Sequence, residues 1–213
     1  MSVIEASEFR KTIKRYIDKK ISEKDLNELL EVARHAPSSM GLEPTRLIVI
    51  RNKELKEVLA KEVFSETNYN LVNSADSLLI FTSLKINEII KEKYLIERWS
   101  KLIIDKDKFK KRMNFFNKYV DQIKNTEGDY FCFFQTYISA SFLMLAAADK
   151  KIGSSFLGGF KSNIDSVLND MKIIDSNKQR VSICMALGYF DSNDAESFRK
   201  SYRISKNEFV TII

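Results

Sequence analysis

The sequence predicts an α+β fold of the three-layer type, in which helices flank a mixed sheet. Three runs, at 47–50, 77–83 and 181–190, are apolar enough to be strands buried on both faces. Segments with helical periodicity lie before and between these runs. The length of 213 residues suits one domain over 1–213, and the 44% of hydrophobic residues are enough to fill its core.

The sequence predicts an amphipathic helix in 21–36, "ISEKDLNELLEVARHA". Ser22 is a suitable N-cap, and leucine and alanine recur on one face of the segment. The helix must stop before Pro37, because proline cannot continue it. Both prolines of the chain, Pro37 and Pro44, lie in "APSSMGLEPT", with Gly41 between them. This composition predicts an ordered turn, rich in backbone donors and serine hydroxyls, that leads into the first strand.

The central region 85–124 carries the excess positive charge. It contains 12 Lys+Arg against 6 Asp+Glu, which equals the net charge of +6 of the whole chain. A pair of helices with solvated, lysine-rich outer faces is favoured over a nucleic-acid groove, since no zinc-finger, RNP or helix-turn-helix pattern is present. Nucleic-acid binding through this region stays as a less favoured alternative function.

The run 130–148, "YFCFFQTYISASFLMLAAA", is uncharged and close to the length of a membrane span. It also contains polar residues, among them Gln135 and Thr136. This pattern favours a helix buried inside the protein or at a subunit interface, and we expect no membrane partner.

The later segments complete the predicted fold. The stretch 152–160, "IGSSFLGGF", holds three of the six glycines, which indicates a turn or a close approach of the backbone to a ligand. The stretch 161–170 indicates a short helix capped by Ser162 or Asn163. The chain is basic near both ends, in "FRKTIKRY" and "FRKSYRIS".

Several classes of site are not indicated. Cys132 and Cys184 stand alone in apolar runs, as expected of buried thiols in a reducing cytoplasm, and "MSVIEASEF" does not resemble a signal peptide. No set of His, Cys, Asp and Glu has metal-ligand spacing, so we predict no metal. The one histidine, His35, is expected to cap or pack at the end of its helix.

Residues 9–50 resemble the opening of the FMN-dependent nitroreductase family, with an Arg-rich start, a helix that begins at Ile-Ser, and Ala-Pro-Ser-Ser before a strand. The resemblance continues through "NYNLVNSADSLLIF", "FQTYISASFLMLAAADKKIGSSFLGGF" and the basic C-terminal arm. It implies an NAD(P)H-dependent flavin oxidoreductase of the nitroreductase type. It also implies a homodimer with FMN sites at the interface and a C-terminal arm exchanged between the subunits.

The resemblance assigns the basic ends of the chain to the cofactor phosphate. Arg10, Lys200 and Arg203 would converge on the FMN phosphate, with Lys11 and Thr12 alongside. Arginine forks and lysine charges are the usual protein ligands of a phosphate dianion.

Other residues match family positions around the flavin ring. Lys14 would face the N1/O2 edge, where a cation favours hydride acceptance. Asn68 matches an asparagine that hydrogen-bonds the pyrimidine ring, and Leu157 and Gly158 match a turn that directs an N–H toward N5.

The turn after the first helix is expected to reach the flavin of the other subunit. Its matching residues are Pro37, Ser38, Ser39 and Gly41.

The sequence departs from the family pattern at two places. Gly41 stands where an asparagine is common, and Glu43 and Thr45 stand where Gln and Trp are common around the proline. Leu71 stands where a second lysine often lies near N1. The second departure implies a lower flavin potential than in similar proteins.

The resemblance implies a ping-pong reaction in which NADH or NADPH reduces FMN and leaves. A nitroaromatic, a quinone or free flavin then takes the electrons at the same face. Phe115 and Phe116 either cover this substrate or belong to the core. A flavin-binding protein without hydride transfer is the alternative function.

Overall fold

The computed structural model describes residues 1–194, 196–197 and 201–213, and describes the side chains in these ranges except those of 124–127. The following order of helices and strands therefore refers to these residues. The elements are α1 (Val3–Phe9), α2 (Glu23–Arg34), β1 (Thr45–Ile50), α3 (Lys53–Val63), α4 (Glu66–Ser74), β2 (Ser77–Leu84), α5 (Ile86–Ile89), α6 (Glu92–Trp99), α7 (Lys106–Asp149), β3 (Gly153–Leu157), α8 (Ile164–Asp170), β4 (Gln179–Gly188) and α9 (Lys206–Phe209).

The four strands form one sheet in the order β1-β2-β4-β3. Every pairing between these strands is antiparallel, so the directions differ from the mixed sheet that was predicted. In the described ranges, parallel pairing is confined to an isolated bridge between Thr12 and Ser154. The central pair β2 and β4 has a register shift between Phe81 and Thr82.

Helices cover both faces of the sheet, which confirms the three-layer α+β prediction. Side chains alternate along β2, because successive residues of a strand point to opposite faces. Leu78 and Ile80 pack in one core with residues of α3, α4 and α8. Leu79 and Phe81 pack in a second core with residues of α2 and α7.

A third apolar cluster lies beside the sheet and joins α5, α6 and α7. Trp99 and Phe116 are buried in it, with their rings edge-to-face at a centroid distance of 5.3 Å. Most of the described lysines of 85–124, such as Lys108 and Lys111, are exposed. The region is therefore helical with solvated lysines, as predicted.

Helix α7 is not straight. The ring centroids of Tyr119 and Phe131 lie 6.4 Å apart, although twelve residues of straight helix advance by about 18 Å. The helix therefore bends back between these two residues. We call the parts before and after the bend the first and second halves of α7.

The second half of α7 contains the predicted apolar helix. Cys132, Ala140 and Leu143 are buried against the rest of the protein, while Phe134 and Phe142 on the opposite side are exposed. Residues Gly128–Asp149 are long and apolar enough to cross a membrane. Of an apolar 18-residue stretch within them, 44% is buried inside the protein. The second half of α7 is therefore buried on one side and leaves an apolar side exposed.

The local signals account for the helix ends. The Ser22 hydroxyl accepts a hydrogen bond from the Asp25 amide at 3.0 Å, which confirms the predicted cap of α2. His35 is the C-terminal cap of the same helix and is exposed. Asn163 caps α8 through the Ser166 amide. The stretch 152–160 contains a strand, β3, that was not predicted, because its glycines were interpreted as a turn.

Candidate functional site

The segment Arg10–Tyr16 runs beside the edge strand β3. Ile13 donates its amide to the Ser154 carbonyl at 3.3 Å, and Ile17 donates to Tyr189 at 2.9 Å. Ile13 and Tyr16 are buried, and the Tyr16 hydroxyl donates to the Ala186 carbonyl at 2.9 Å. Burial of these two side chains leaves the cations between and before them at the surface.

Two glycines allow the segment to lie this close to the sheet. A Cβ at Gly153 would lie 2.6 Å from Ile13 Cγ1 and from Phe190 Cδ1. A Cβ at Gly188 would lie 2.9 Å from Tyr16 Cδ1. Both distances are shorter than van der Waals contact, so the sequence needs glycine at these positions.

The basic ends of the chain line one cavity of about 560 Å³. Four of the predicted phosphate and ring residues from the amino-terminal segment line it, together with the start of the C-terminal arm. Its lining residues are Arg10, Lys11, Thr12, Lys14, Glu196, Ser197, Ser201, Tyr202 and Arg203. Lys200 lies outside the described residues.

Ser197 connects the two ends. Its hydroxyl oxygen accepts a hydrogen bond from the Lys14 amide at 2.9 Å. The same hydroxyl donates to Asp194 at 2.5 Å, and this bond lowers the pKa of the Asp194 carboxyl. Ser197 was not predicted, because a single serine in a basic arm carries no signal in the sequence.

The charges of the cavity are not neutralised within the described residues. Neither Arg10, Lys14 nor Arg203 makes an ion pair with a described carboxylate, although Glu196 also lines the cavity. Burial, and then the charge of Arg203, lower the pKa of Arg10. Two guanidinium groups that repel each other beside hydroxyl donors are chemically suited to bind an anion.

A second group of predicted residues surrounds the end of β3. Leu157 is buried, whereas Gly158 is exposed and has no atom within 4 Å of the place where a Cβ would stand. A bridge between Phe64 and Phe160 brings this turn to the start of α4, where Asn68 is partly exposed. The structure thus joins the segments that carry Asn68 and Gly158, and it leaves open space above the glycine.

Leu71 lies in the core beneath this place, in the same cluster as Leu157. Its side chain is buried, so the position contributes packing rather than charge.

The turn 37–43 lies elsewhere and lines no part of the 560 Å³ cavity. The Ser38 hydroxyl accepts from the Glu43 amide at 2.9 Å. The Ser39 amide donates to Gln135 Oε1 at 2.7 Å, and Gln135 is buried. Pro37 is exposed, and Gly41 has a φ of 65°, which glycine adopts without strain.

Gln135 is a positioning residue that the sequence interpretation did not assign. Its Nε2 donates to the Phe131 carbonyl at 2.9 Å, which orients the amide and leaves Oε1 for Ser39. The signal in the sequence was the polar residue within an otherwise apolar run.

The two phenylalanines predicted to contact substrate have different environments. Phe116 is fully buried against Trp99, which is the core role that was its alternative. Phe115 is 61% exposed and stacks on Tyr119 at 6.3 Å. Phe115 is therefore the one of the pair that a ligand can reach.

Both cysteines are remote from solvent. Burial raises the pKa of the Cys132 thiol to about 12 and raises that of Cys184 as well. Neither thiol is suited to nucleophilic chemistry. Among the described side chains, no group of three or more His, Cys, Asp and Glu could hold a metal ion.

The family model "Nitroreductase family" matches residues 8–189, and the chain belongs to this family. A Staphylococcus haemolyticus protein named "Putative NAD(P)H nitroreductase" is 29% identical over an alignment of length 209, which covers 93% of this chain and 93% of the other. An "Oxygen-insensitive NADPH nitroreductase" of Helicobacter pylori is 25% identical and covers 89% of this chain and 86% of its own.

Solved structures agree with the fold. A "nitroreductase-like protein" from Streptococcus mutans superimposes with a TM-score of 0.83 at 19% identity, over 99% of this chain and 97% of the other. A "putative nitroreductase in complex with FMN" from Exiguobacterium sibiricum gives a TM-score of 0.81 at 17% identity, over 100% of this chain and 98% of the other.

Proposed function

We propose that this protein is an FMN-dependent oxidoreductase that uses NADH or NADPH to reduce small-molecule acceptors. Nitroaromatics, quinones and free flavin are the acceptors that the family suggests. The observation that carries the proposal is the cavity where Arg10, Lys14 and Arg203 meet without a described ion-pair partner. Membership of the nitroreductase family and a relative named NADPH nitroreductase support the same activity.

The residues of the cavity fit the phosphate of FMN. Arg10 and Arg203 supply guanidinium donors, and Lys11 supplies a further charge. Thr12 adds a hydroxyl donor. A phosphate between the two guanidinium groups would relieve the repulsion that lowers the pKa of Arg10. We include Lys200 in this set by its position in the arm.

FMN, when bound, accepts a hydride from the nucleotide and passes two electrons to the acceptor. Lys14 holds a positive charge at the cavity wall and would stabilise negative charge at the ring edge. Asn68 would hydrogen-bond the pyrimidine ring, and the Leu157–Gly158 turn would offer a backbone N–H. Gly158 leaves the space above the turn free for a planar group.

We propose that each site is shared across a homodimer. The turn that contains Ser38 and Ser39 does not reach the cation cavity of its own chain. The described arm from 201 to 213 is exposed throughout and presents Phe209 and Ile212 to solvent. Exposed apolar side chains of this kind are expected to pack on a second subunit. The dimer would exchange these arms and would bury the exposed side of α7.

The nucleotide and the acceptor would use the same face in turn, which gives ping-pong kinetics. Phe115 would contact the acceptor, since it is the exposed member of its pair. The protein would act in the cytoplasm as one domain, where buried thiols stay reduced. We propose no metal, membrane or nucleic-acid partner.

The first test is the visible spectrum of the purified protein before and after NADPH is added without oxygen. A yellow protein that bleaches would support both the cofactor and the hydride transfer. A colourless protein that takes up no added FMN would contradict the proposal.

A matched pair of variants tests the cavity itself. Arg10→Gln should lose most FMN affinity, because it removes a cation from the cavity wall. Arg15→Gln makes the same charge change on an exposed residue of the same segment that does not line the cavity. Equal FMN affinity of the two variants would contradict the assignment.

A flavin-binding protein without hydride transfer is the second candidate. The buried Leu71 favours it, because no cation stands at that position to raise the flavin potential. A yellow protein that NADPH does not bleach would support this candidate.

A further inference from the structure

Two non-glycine residues of the turn 37–43 have an unfavourable backbone conformation. Met40 has a φ of 57° and Glu43 a φ of 45°, both in the left-handed region. Residues with a side chain rarely adopt this region, and such conformations persist where the surroundings impose them. The contacts of this turn therefore indicate what holds it in place.

Helices α6 and α7 both donate a hydrogen bond to the Met40 carbonyl of this turn. Trp99 Nε1 donates to the Met40 carbonyl at 3.1 Å, and Arg112 Nη2 donates to the same oxygen at 3.0 Å. The Arg112 guanidinium lies over the Trp99 ring at 5.2 Å. The two donors thus converge on one of the two non-glycine residues of the turn whose backbone lies in the left-handed region.

Two further contacts from α6 hold the neighbouring residues of the turn. The Tyr94 hydroxyl donates to the Leu42 carbonyl at 2.6 Å, and Leu42 is buried in the third apolar cluster. Arg98 forms an ion pair with Glu43. Glu43 is one of the departures from the family pattern, and this ion pair ties it to α6.

Arg112 is held in a costly environment. Its Nε is buried and has no hydrogen-bond partner among the described groups. A buried donor without a partner is unfavourable, so its retention is consistent with a role for the other end of the guanidinium. That end contacts Met40.

The turn lies between the two halves of α7. Arg112 in the first half contacts Met40, and Gln135 in the second half contacts Ser39. Met40 and Ser39 are adjacent, so a shift of the first half of α7 relative to the second half would displace the backbone at Ser38 and Ser39.

We propose that Trp99 and Arg112 are positioning residues for the cofactor, which they serve by fixing the Ser38–Ser39 turn through Met40. The inference rests on the proposed function, in which this turn reaches the flavin of the partner subunit. These contacts would couple two helical segments to the cofactor site: α6, and the first half of α7, on which the exposed Phe115 lies. An acceptor that displaces these helices would then also move the turn.

The test compares Arg112→Met with Lys111→Met in the full-length protein. Arg112→Met removes the donor to Met40, whereas Lys111 is an exposed neighbour that loses the same charge. We expect Arg112→Met to weaken FMN binding to the apoprotein by about 10-fold, the size of effect of one charge-assisted hydrogen bond. Lys111→Met should bind FMN as the wild type does.

Trp99→Phe is the second variant, because it keeps a smaller aromatic ring in the apolar cluster and removes the N–H donor to Met40. It should weaken FMN binding by a few-fold. Arg112→Lys retains a charged donor and should recover part of the affinity lost in Arg112→Met. A merely structural role of Arg112 would give no such recovery at temperatures where both variants are folded.

Trp99 also supplies a direct optical signal, since it is the one tryptophan of the chain. Its emission should move to longer wavelength in apo Arg112→Met, as water reaches the indole, and should stay unchanged in Lys111→Met. Wild-type protein that binds no FMN would overturn the proposed function. Wild-type affinity in both Arg112→Met and Trp99→Phe would overturn the positioning role alone.

Discussion

The segment Arg10–Tyr16 and the turn 37–43 both supply candidate cofactor residues, yet they are held in different ways. The segment lies against the sheet through backbone hydrogen bonds, as at Ile13, and through glycines that remove steric conflict. The turn has a left-handed backbone at Met40 and Glu43 and is held by side chains of distant helices. The segment needs glycine at Gly153 and Gly188, where a Cβ atom would collide with it. The turn needs particular side-chain donors, those of Trp99 and Arg112.

The largest expected effect breaks the support of the turn. Phe116→Ala removes a fully buried ring that packs edge-to-face on Trp99. It should lower the free energy of unfolding by about 3–5 kcal/mol, as large-to-small core changes do. Chemical denaturation measures the loss. Phe115→Ala is the control and should change stability by less than about 0.5 kcal/mol. A similar loss in both variants would contradict the core role of Phe116.

The next effect breaks the fit of the segment against the sheet. Gly153→Ala places a Cβ 2.6 Å from Ile13 Cγ1 and should destabilise the protein by about 1–3 kcal/mol through overpacking. Gly159→Ala adds the same methyl where no atom lies within 4 Å, so its melting temperature should stay near that of the wild type. Equal melting temperatures of the two variants would show that Ile13 yields without cost.

A smaller effect concerns the inner contact of the turn. Gln135→Leu removes the acceptor of the Ser39 amide and should cost about 1–3 kcal/mol if that amide stays without a partner. Urea denaturation measures the stability, and FMN titration measures the consequence for the site. Asn117→Leu replaces an exposed amide of α7 by leucine and serves as a control for the added side chain. The prediction fails if Gln135→Leu keeps wild-type stability and affinity.

The smallest effect is a pH dependence at the tether between the two basic ends. The hydrogen bond from Ser197 lowers the pKa of Asp194, so the folded state favours the carboxylate. This stabilisation is fully present above the usual aspartate pKa of 3.8 and is lost as the pH falls through the lower pKa of the folded state. The melting temperature of Asp194→Asn should thus lie slightly below that of the wild type at pH 6, and the difference should shrink as the pH is lowered below 3.8. A difference that is independent of pH would assign the effect to packing.

Local signals in the sequence were enough for much of the fold. Ser22 and the apolar face after it predicted α2, and apolar runs predicted three of the four strands. The strand β3 was missed because a strand acquires its character from its partner, here β4, and its glycine was interpreted as a turn signal. The directions of the strands depend on the same long-range pairing.

The site was predictable in unequal parts. The meeting of Arg10 and Arg203 followed from the family resemblance, since charge pattern alone does not show that two chain ends approach each other. The contacts of the turn were not predictable. Its donors and acceptors lie 59, 72 and 96 positions away, at Trp99, Arg112 and Gln135, and no local pattern marks such pairs.

The burial of both cysteines has a practical consequence for labelling. Thiol reagents attack the thiolate, and burial raises the pKa of Cys132 to about 12 and also raises that of Cys184. The natural thiols should therefore stay unmodified in the folded protein near neutral pH. A cysteine introduced at an exposed position of the arm outside the cavity, such as Asn207, would be the one that reacts, so a maleimide dye could label the arm without removal of the native cysteines.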